Sequence, residues 1–514
     1  MEPSHSDDTT PFFRAVIRSA FLLVLVAVLL FLFSVILTPR VILAANEPVA
    51  TEGIESIPDF VAPAPSDTFD TVILNGRVMD PESGFDRQAN LGIVGDTIVA
   101  ITLDDIEGSR EIDADGLVVA PGFIDVTMPG YPDPALYQNI QYWKLSDGVT
   151  TALWTHDGWH DPERVIAPLR GERHLINWGV GTSVNRLYAP DRSHQERLTL
   201  LENAVQRGGI SVGASPEYFT GISTEALIDY ARIADSAGLW LGLHLRYSRM
   251  NTELDGVREA ITVAEESGAH VHIFHINSTG ATYNAMDALR MLEEARERGV
   301  AITADVYPYS YWMTYLNSAR FNDGWREGFD LDYEDLFYVP IRDYLTEAEF
   351  RARRSENGLT VVPEDTISWE DAILPALERD WIFIASDGWT GRNPFRSEVP
   401  FAGHPRGSGT FSTAVSLHRR YGIPLMTVIR KVTLDPAQHM QNADNSFLRR
   451  GRIQRGAYAD ITVFDADTVG GSGTVLDSAR QSAGIRFVLV NGVLSYEDGE
   501  VLSQDAGMLL NRGL

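Results

Sequence analysis

The stretch GLWLGLHLRYSRMNTELDGVREAITVAEESGAHVHIFHINS, residues 238–278, predicts a strand, a helix and a second strand. Residues 239–244 are short, apolar and bounded by turn residues, and residues 252–267 repeat apolar positions at helical spacing. A second apolar strand, 271–275, is entered through Gly268. This is one βαβ unit, and the right-handed crossover of such a unit brings the carboxyl ends of its two parallel strands side by side.

Each of these two strands ends in a histidine. His275 shares a strand face with Val271 and Ile273, whereas His270 and His272 lie on the opposite face. His244 and His275 are therefore expected to converge at one edge of a parallel sheet. The pair is either two satisfied buried histidines or part of a functional site.

Composition limits the class of protein. A chain of 514 residues with 44% hydrophobic and 22% charged residues predicts one large globular domain and a smaller one. The net charge of −29 disfavours a nucleic-acid partner. The absence of cysteine excludes disulfides, thiol catalysis and thiolate metal ligands. Lys144 and Lys431 are the two lysines, which disfavours Schiff-base chemistry, and Lys144 beside Trp143 is expected to be a surface helix residue.

The N-terminal segment predicts a single-pass membrane anchor. Residues 19–39 carry no charge and are long enough to cross the hydrocarbon core. Arg14 and Arg18 precede this span and acidic residues follow it, so residues 1–18 are expected in the cytoplasm and the bulk of the chain in the periplasm or exterior. The alternative is a signal peptide cleaved near Ala45, which would release a periplasmic protein. Residues 40–68 then form a linker.

Short alternating strands occur at both ends of the remaining chain. Asn75-Gly76 and Gly95-Asp96 predict two hairpins near the start, and similar strands return at 459–464 and 485–490. The two ends, 69–120 and 451–514, are therefore predicted to form one small β-sandwich.

The long insert, residues 121–450, predicts a (β/α)8 barrel of the α/β class. Eight candidate strands alternate with helical segments: 122–126, 150–154, 175–179, 210–214, 239–244, 271–275, 300–305 and 381–385. Functional groups of such barrels collect at the carboxyl ends of the strands. Asp387 follows the last strand, where an Asp before Gly is either a turn or cap residue or a member of the site.

Taken together, several motifs in order from about Phe69 to the C-terminus resemble those of the amidohydrolase superfamily. They are Val119-Ala-Pro-Gly-Phe-Ile-Asp-Val126, Gly148-Val-Thr-Thr151, His244-Leu-Arg246, His275, Ala385-Ser-Asp-Gly388 and Gly451-Arg-Ile-Gln-Arg-Gly456. Asp305-Val-Tyr-Pro-Tyr309 and His404-Pro-Arg-Gly-Ser-Gly-Thr-Phe411 are similar to the N-acyl-D-amino-acid deacylase (D-aminoacylase) branch. The resemblance implies a metal-bearing (β/α)8 barrel with a split β-sandwich.

The chain departs from that family after the first barrel strand. The family has Asp-X-His-X-His there, and this chain has Asp125-Val-Thr127-Met-Pro129. The family's ligand on the second strand corresponds to His156 in one alignment and to Asp157 in another, and we prefer His156. The resemblance then implies His156, His244 and His275 as ligands of one Zn²⁺ per chain, with a fourth position open to water.

The remaining roles also follow from the resemblance. Asp387 is expected to be the general base for the attacking water. A substrate carboxylate needs a planar donor, for which Arg246 and Arg406 are candidates, with internal ion pairs as the alternative. Tyr309 and His404 could bind the acyl carbonyl or the carboxylate, and Tyr309 could instead be a core aromatic.

Three functions stay open at this stage. The first is a metal-dependent hydrolase of linear amides acting on small N-acyl amino acids, of the D series as the resemblance implies. The second is a cyclic-amide hydrolase of dihydroorotase or hydantoinase type. The third, motivated by Thr127 and Pro129, is a degenerate barrel that binds a ligand without turnover.

Overall fold

A computed structural model describes residues 68–129, 134–188, 191–394 and 400–511. All of them lie within one compact unit, Ile54–Leu514. In these ranges no helix is both long enough and apolar enough to cross a membrane. The predicted anchor, 19–39, and the linker up to residue 67 lie outside the described residues.

The described residues form three sheets and the helices around them. The strands are β1 Phe69–Asp80, β2 Phe85–Val94, β3 Thr97–Thr102, β4 Gly108–Asp113, β5 Val118–Pro121, β6 Phe123–Asp125, β7 Val149–Trp159, β8 Asn177–Ser183, β9 Val212–Ala214, β10 Leu241–Leu243, β11 Val271–Ile273, β12 Ile302–Val306, β13 Met313–Tyr315, β14 Phe337–Tyr338, β15 Asp343–Tyr344, β16 Leu359–Val361, β17 Ile382–Ile384, β18 Ile461–Phe464, β19 Ile485–Val490, β20 Val493–Glu497 and β21 Glu500–Val501. The α-helices are α1 Pro134–Leu145, α2 Glu163–Leu169, α3 His194–Gln206, α4 Thr224–Ser236, α5 Glu253–Ser267, α6 Ala285–Glu297, α7 Trp325–Phe329, α8 Glu347–Arg353, α9 Leu374–Leu377, α10 Arg406–Tyr421, α11 Leu425–Val432 and α12 Leu434–Met440.

A nine-stranded sheet joins the two ends of the described chain. Its order is β21-β20-β19-β18-β5-β1-β2-β3, with β4 on the side of β1. Side chains from β2, β3 and β19 pack in one apolar cluster, so the sheet closes around its own core as a sandwich does. The hairpin predicted at Asn75-Gly76 is wrong. β1 runs straight through these two residues with a bulge, since Asn75 adopts a left-handed φ of 64° and the strand continues beyond it.

The eight central strands form a parallel sheet that is nearly a closed barrel. Its order is β17-β12-β11-β10-β9-β8-β7-β6, and each strand overlaps one that the sequence predicted. Beyond the strand ends the Asp387 N–H donates to Thr127 O at 2.9 Å, which brings the two outer strands together. The βαβ unit of β10, α5 and β11 has the predicted parallel pairing, with Leu241 opposite Val271. All the carboxyl ends therefore face one side.

Two features of the fold differ from expectation. A four-stranded sheet, β13-β16-β14-β15, lies between β12 and β17 in the chain, where no strand was predicted. Lys144 is buried rather than on the surface, and its Nζ donates to Asp125 Oδ2 at 2.7 Å and to Ser386 Oγ at 2.8 Å. Because a buried ammonium group needs an anionic partner, Asp125 and Lys144 stabilise each other inside the barrel.

Candidate metal centre

Three histidines converge on the carboxyl-end side of the barrel, two from the neighbouring strands β10 and β11 and one from β7, which lies three positions from β10 in the sheet. His156 lies in β7, His244 follows β10, and His275 follows β11 with a left-handed φ of 32°. His275 Nε2 is 3.1 Å from His156 Nε2 and 3.1 Å from His244 Nδ1. Within the described ranges this is the one group of three or more His, Asp or Glu side chains whose ligand atoms all lie within 4.8 Å of one another.

Neighbouring side chains set which histidine nitrogen faces the centre. His244 Nε2 lies 2.9 Å from Glu217 Oε2, and an ionised carboxylate only accepts hydrogen bonds. His244 therefore carries its proton on Nε2 and directs the lone pair of Nδ1 inward. Ser278 Oγ, 3.1 Å from His275 Nδ1, likewise engages the outer nitrogen of His275 and leaves Nε2 inside. Such partners fix ring orientation in metal sites.

Burial favours the neutral form of His244 and His275. It lowers the pKa of His244 to about 4, although the bond to Glu217 opposes the shift. Burial also holds the pKa of His275 well below its usual range, and His244 and His156 add to that effect. A neutral imidazole offers a lone pair, which is the form that binds a metal ion.

Glu217 and Arg320 form a buried ion pair behind His244. Burial on its own would raise the pKa of Glu217, but Arg320 and His244 hold that pKa well below its usual value. Arg320 Nε donates to Glu217 Oε2 at 2.8 Å, and a second guanidinium nitrogen donates to Ser278 O at 2.6 Å. The pair thus connects the supports of His244 and His275.

Sequence analysis did not identify Glu217 or Arg320. Glu217 follows β9 in Ser215-Pro-Glu217, so the strand-end rule that selected His244 could have found it. Arg320 lies in a short 3₁₀ helix of the segment between β12 and β17, and nothing in its local sequence marks it.

Asp387 lies at the edge of the histidine group. It has a left-handed φ of 45°, the residue as a whole is buried with 8% exposure, and Oδ2 is 3.8 Å from His275 Nε2. Arg406, the first residue of α10, donates to the same Oδ2 at 2.9 Å. The next residue must be small, because a Cβ on Gly388 would stand 2.6 Å from Arg406 Cγ.

His404 supports Arg406. Its Nε2 bonds Tyr311 O at 3.0 Å, and its Nδ1 accepts from the Arg406 N–H at 3.2 Å. Both ring nitrogens are thus engaged within the protein, which fixes the tautomer and the start of α10. Burial, reinforced by Arg406, holds the pKa of His404 well below its usual range.

The structure does not bring Arg246 or Tyr309 to the cavity in front of the histidines, so this part of the predicted substrate site needs correction. Arg246 Nε pairs with Glu259 Oε2 at 2.7 Å and another guanidinium nitrogen donates to Ile222 O, which is the internal ion pair considered as its alternative. The Tyr309 hydroxyl lies 3.3 Å from Thr413 Oγ1, and its ring packs edge-on against His404. The side chain of Asp157 is not described.

The end of β6 carries no histidine in this chain. Thr127 Oγ1 donates to Asp305 Oδ2 at 2.5 Å. Asp305 also accepts from the His275 N–H at 2.6 Å and bonds His272 Nε2 at 2.9 Å. The polar side chains at the end of β6 are therefore hydrogen-bonded to other groups of the protein.

The cavity in front of the centre has a volume of about 710 Å³. His156, His244, His275, Asp387, His404 and Arg406 all line it. The three inward nitrogens fit a divalent cation, because ligands about 2.0 to 2.1 Å from a tetrahedral zinc ion lie roughly 3.3 Å apart. Three protein ligands with an open side toward a cavity is the arrangement of catalytic rather than structural zinc sites.

A (β/α)8 barrel with histidines at its strand ends, flanked by a sheet from both chain ends, is the arrangement that the resemblance to the amidohydrolase superfamily implies. No family model matches the chain. It is 28% identical to N-acyl-D-glutamate deacylase of Alcaligenes xylosoxydans xylosoxydans over 498 residues, 85% of this chain and 97% of the relative. It is also 28% identical to D-aminoacylase of the same organism over 506 residues, which are 87% of this chain and 98% of that relative.

The fold comparison agrees with the sequence comparison. The structure of N-acyl-D-glutamate deacylase from Bordetella bronchiseptica, complexed with zinc and a phosphonate inhibitor, matches with a TM-score of 0.72 at 23% identity, covering 87% of this chain and all of that one. The resemblance to the amidohydrolase superfamily, and within it to the D-aminoacylase branch, is confirmed.

Proposed function

We propose that this protein is a metal-dependent hydrolase of linear amide bonds that deacylates N-acyl-D-amino acids. The observation that carries the proposal is the convergence of His156, His244 and His275 with Asp387 beside them on one cavity. Similarity to the two deacylases over nearly their whole length favours linear over cyclic amides.

The three inward nitrogens would hold one Zn²⁺ per chain. A bound zinc ion lowers the pKa of water toward about 7 and polarises a carbonyl oxygen. Burial favours the neutral, metal-binding form of His244 and His275, and Glu217 and Ser278 keep these two rings oriented. The hydrogen bonds of Thr127 at the end of β6 favour a single ion over a pair.

In the proposed reaction Asp387 transfers the proton from the water to the departing amine. Its carboxylate takes a proton from the attacking water as the water oxygen bonds to the carbonyl carbon. When the carbon–nitrogen bond breaks, the same carboxyl group returns that proton to the departing amine, and a carboxylic acid and a free amino acid result. The left-handed turn at Asp387 and the bond from Arg406 hold the carboxylate next to His275.

Arg406 would bind the substrate α-carboxylate. One guanidinium nitrogen is on Asp387, and among the described residues its buried Nε has no hydrogen-bond partner. Arg406 lines the cavity, and a substrate carboxylate there would accept a charge-assisted hydrogen bond from its guanidinium group. His404 would act by positioning Arg406.

The test is metal content and hydrolysis measured on the same preparation. Protein purified with zinc is expected to carry close to one Zn²⁺ per chain and to release free amino acid from N-acetyl-D-amino acids, with the L enantiomers as matched controls. Zinc-free protein without hydrolysis would favour a degenerate binding barrel, and activity confined to dihydroorotate or hydantoins would favour a cyclic-amide hydrolase.

We also propose that residues 19–39 anchor the protein in the membrane with the barrel in the periplasm or exterior. The proposal rests on the uncharged span and the arginines before it. Protease added to intact spheroplasts should digest the barrel. Full protection, or a soluble mature protein beginning near residue 46, would contradict the anchor.

A further inference from the structure

The turn that carries Asp387 is held by hydrogen bonds to three successive backbone N–H groups. The Ser386 N–H donates to Asp125 Oδ1 at 3.1 Å. The Asp387 N–H donates to Thr127 O at 2.9 Å, and the Gly388 N–H donates to Ser386 Oγ at 3.1 Å. A left-handed conformation is unfavourable for an aspartate, so it persists only where the surrounding bonds impose it. The end of β6 and the Ser386 side chain therefore determine where the Asp387 carboxylate lies.

Ser386 is central to this turn, because its hydroxyl group uses all of its hydrogen-bonding positions. A serine hydroxyl has one hydrogen and two lone pairs. Its oxygen accepts from Lys144 Nζ at 2.8 Å and from the Gly388 N–H. Its hydrogen goes to Asp125 Oδ2 at 2.6 Å rather than to Gly388 O at 3.1 Å, since a carboxylate is the stronger acceptor. The hydroxyl thus has a single orientation.

Lys144 and Asp125 keep the Ser386 hydroxyl in that orientation. Both side chains are buried, and Lys144 Nζ lies 2.7 Å from Asp125 Oδ2. An ammonium group only donates and an ionised carboxylate only accepts, so the serine hydrogen must point to Asp125 and its oxygen to Lys144. The remaining lone pair of the oxygen is then left for the Gly388 N–H.

The two lysines of the chain bind opposite ends of the same strand, β17. Lys144 binds beyond its carboxyl end, through Ser386. Lys431 is also buried, and its Nζ donates to Arg379 O at 2.6 Å and to Ile382 O at 2.7 Å, at the amino end of β17. Lys431 is therefore a matched group that secures the same strand away from the histidines.

We propose that Asp125, Lys144 and Ser386 form a positioning cluster for Asp387. The cluster holds the carboxylate in its left-handed turn beside His275, in the place where it can exchange a proton with the attacking water. This inference rests on the proposed function and extends it to three residues that do not line the cavity. They act on the reaction through Asp387 and contact neither the substrate cavity nor the three histidine rings.

Ser386→Ala is the direct test of the positioning cluster. It removes the acceptor of the Gly388 N–H and the link from Lys144 to the turn. We expect kcat to fall about 10- to 100-fold, since a displacement of about 1 Å is enough to impair proton transfer. KM for an N-acetyl-D-amino acid and the zinc content should stay within about 2-fold of wild type, because only the chemical step depends on the cluster. An unchanged kcat, or a loss carried by KM alone, would overturn the inference.

A double-mutant cycle separates positioning from general damage to the fold. In the Asp387→Asn background, Ser386→Ala should change the residual kcat less than about 2-fold, because the group that it positions no longer carries the proton. Equal losses of kcat in the two backgrounds would contradict a role that acts through Asp387.

Lys144 is tested together with its partner and against Lys431. Lys144→Met alone leaves the Asp125 carboxylate buried without a cation, which is strongly destabilising. The double variant Asp125→Asn/Lys144→Met removes both charges and should lose about 10-fold or more of kcat at unchanged zinc content. Lys431→Met should lower the urea midpoint but keep kcat within about 2-fold, since Asp435 retains the bond from Arg430 at 2.8 Å. Full kcat in the double variant, or an equal loss in Lys431→Met, would count against the cluster.

Crystal structures of wild type and Ser386→Ala keep the two proposals distinguishable. If wild-type protein hydrolyses no N-acyl amino acid, the proposed function fails, but the position of Asp387 is still measured. Its carboxylate should move by more than about 0.5 Å in Ser386→Ala while the rings of His156, His244 and His275 keep their places. An unmoved Asp387 would overturn the inference for an active and for an inactive protein alike.

Discussion

Two sets of strand ends in the barrel are buried and polar, but they differ in the partners of their polar atoms. Asp125, the last residue of β6, is bonded to Lys144 and Ser386, and Thr127, two residues further on, is bonded to Asp305. After β10 and β11, and within β7, the inward nitrogens of the histidines have mainly one another as neighbours.

That difference separates a structural polar cluster from a binding site. A cluster in which each donor meets an acceptor gains nothing from a further ligand. Neutral imidazoles whose lone pairs meet within about 3 Å repel one another unless a proton or a cation lies between them. The first-strand end is therefore complete without a ligand, whereas a cation between the histidine nitrogens would remove the repulsion between their lone pairs.

His275→Ala should have the largest effect of these substitutions on zinc binding and turnover. His275 is the central member of the three, so its loss should abolish zinc retention after dialysis and reduce turnover by at least about 1000-fold. Elemental analysis and the deacylation assay provide the measurement. His194→Ala removes an exposed histidine on α3 and should change neither quantity. Full zinc occupancy in His275→Ala would contradict the proposed ligand set.

Asp387→Asn should separate metal binding from chemistry. If Asp387 moves the proton, the variant should keep zinc near the wild-type content and lose roughly 10² to 10⁴ of kcat. Elemental analysis gives the zinc content and steady-state kinetics gives kcat, both measured on one sample. Loss of the metal together with the activity would instead assign Asp387 to the metal site as a ligand.

Glu217→Ala should weaken zinc binding by about 10 to 100-fold, because it releases the His244 ring and leaves Arg320 buried without its anion. Competition with a chelator gives the affinity, and the absorption spectrum of the Co²⁺ form reports a changed coordination geometry. Glu217→Gln keeps the side-chain shape and should recover part of the affinity. An unchanged Co²⁺ spectrum in Glu217→Ala would show that Glu217 does not position His244.

Thr127→Val should have the smallest effect, and only on stability. It removes one hydrogen bond to Asp305, which still accepts from His272 and the His275 N–H, at a cost of about 1 kcal/mol. Urea denaturation of the zinc-free protein measures this loss. Zinc affinity should stay within about 2-fold of wild type, since a neutral substitution outside the ligand set changes no donor. A 10-fold fall in affinity would make the first-strand end part of the metal site.

The eight barrel strands were accessible to sequence reasoning because each carries its own apolar pattern between turn residues. The buried position of Lys144 could not be predicted in this way. A lysine on a helix is expected to be exposed unless a buried anionic partner is known, and its partner Asp125 lies in another element. The small sheet from β13 to β16 was also missed. Its strands are two or three residues long, which is too short for an alternating pattern to be recognised.

The sequence by itself determined that His244, His275 and Asp387 follow barrel strands and so lie on one side of the molecule. This is a local property, because strand period and crossover handedness are set within each βαβ unit. Only the tertiary structure decided which arginine reaches the cavity. Arg246 and Arg406 are chemically equivalent in sequence, but Glu259 holds the first away from the cavity and Asp387 holds the second within it. Such a choice depends on contacts between distant segments of the chain.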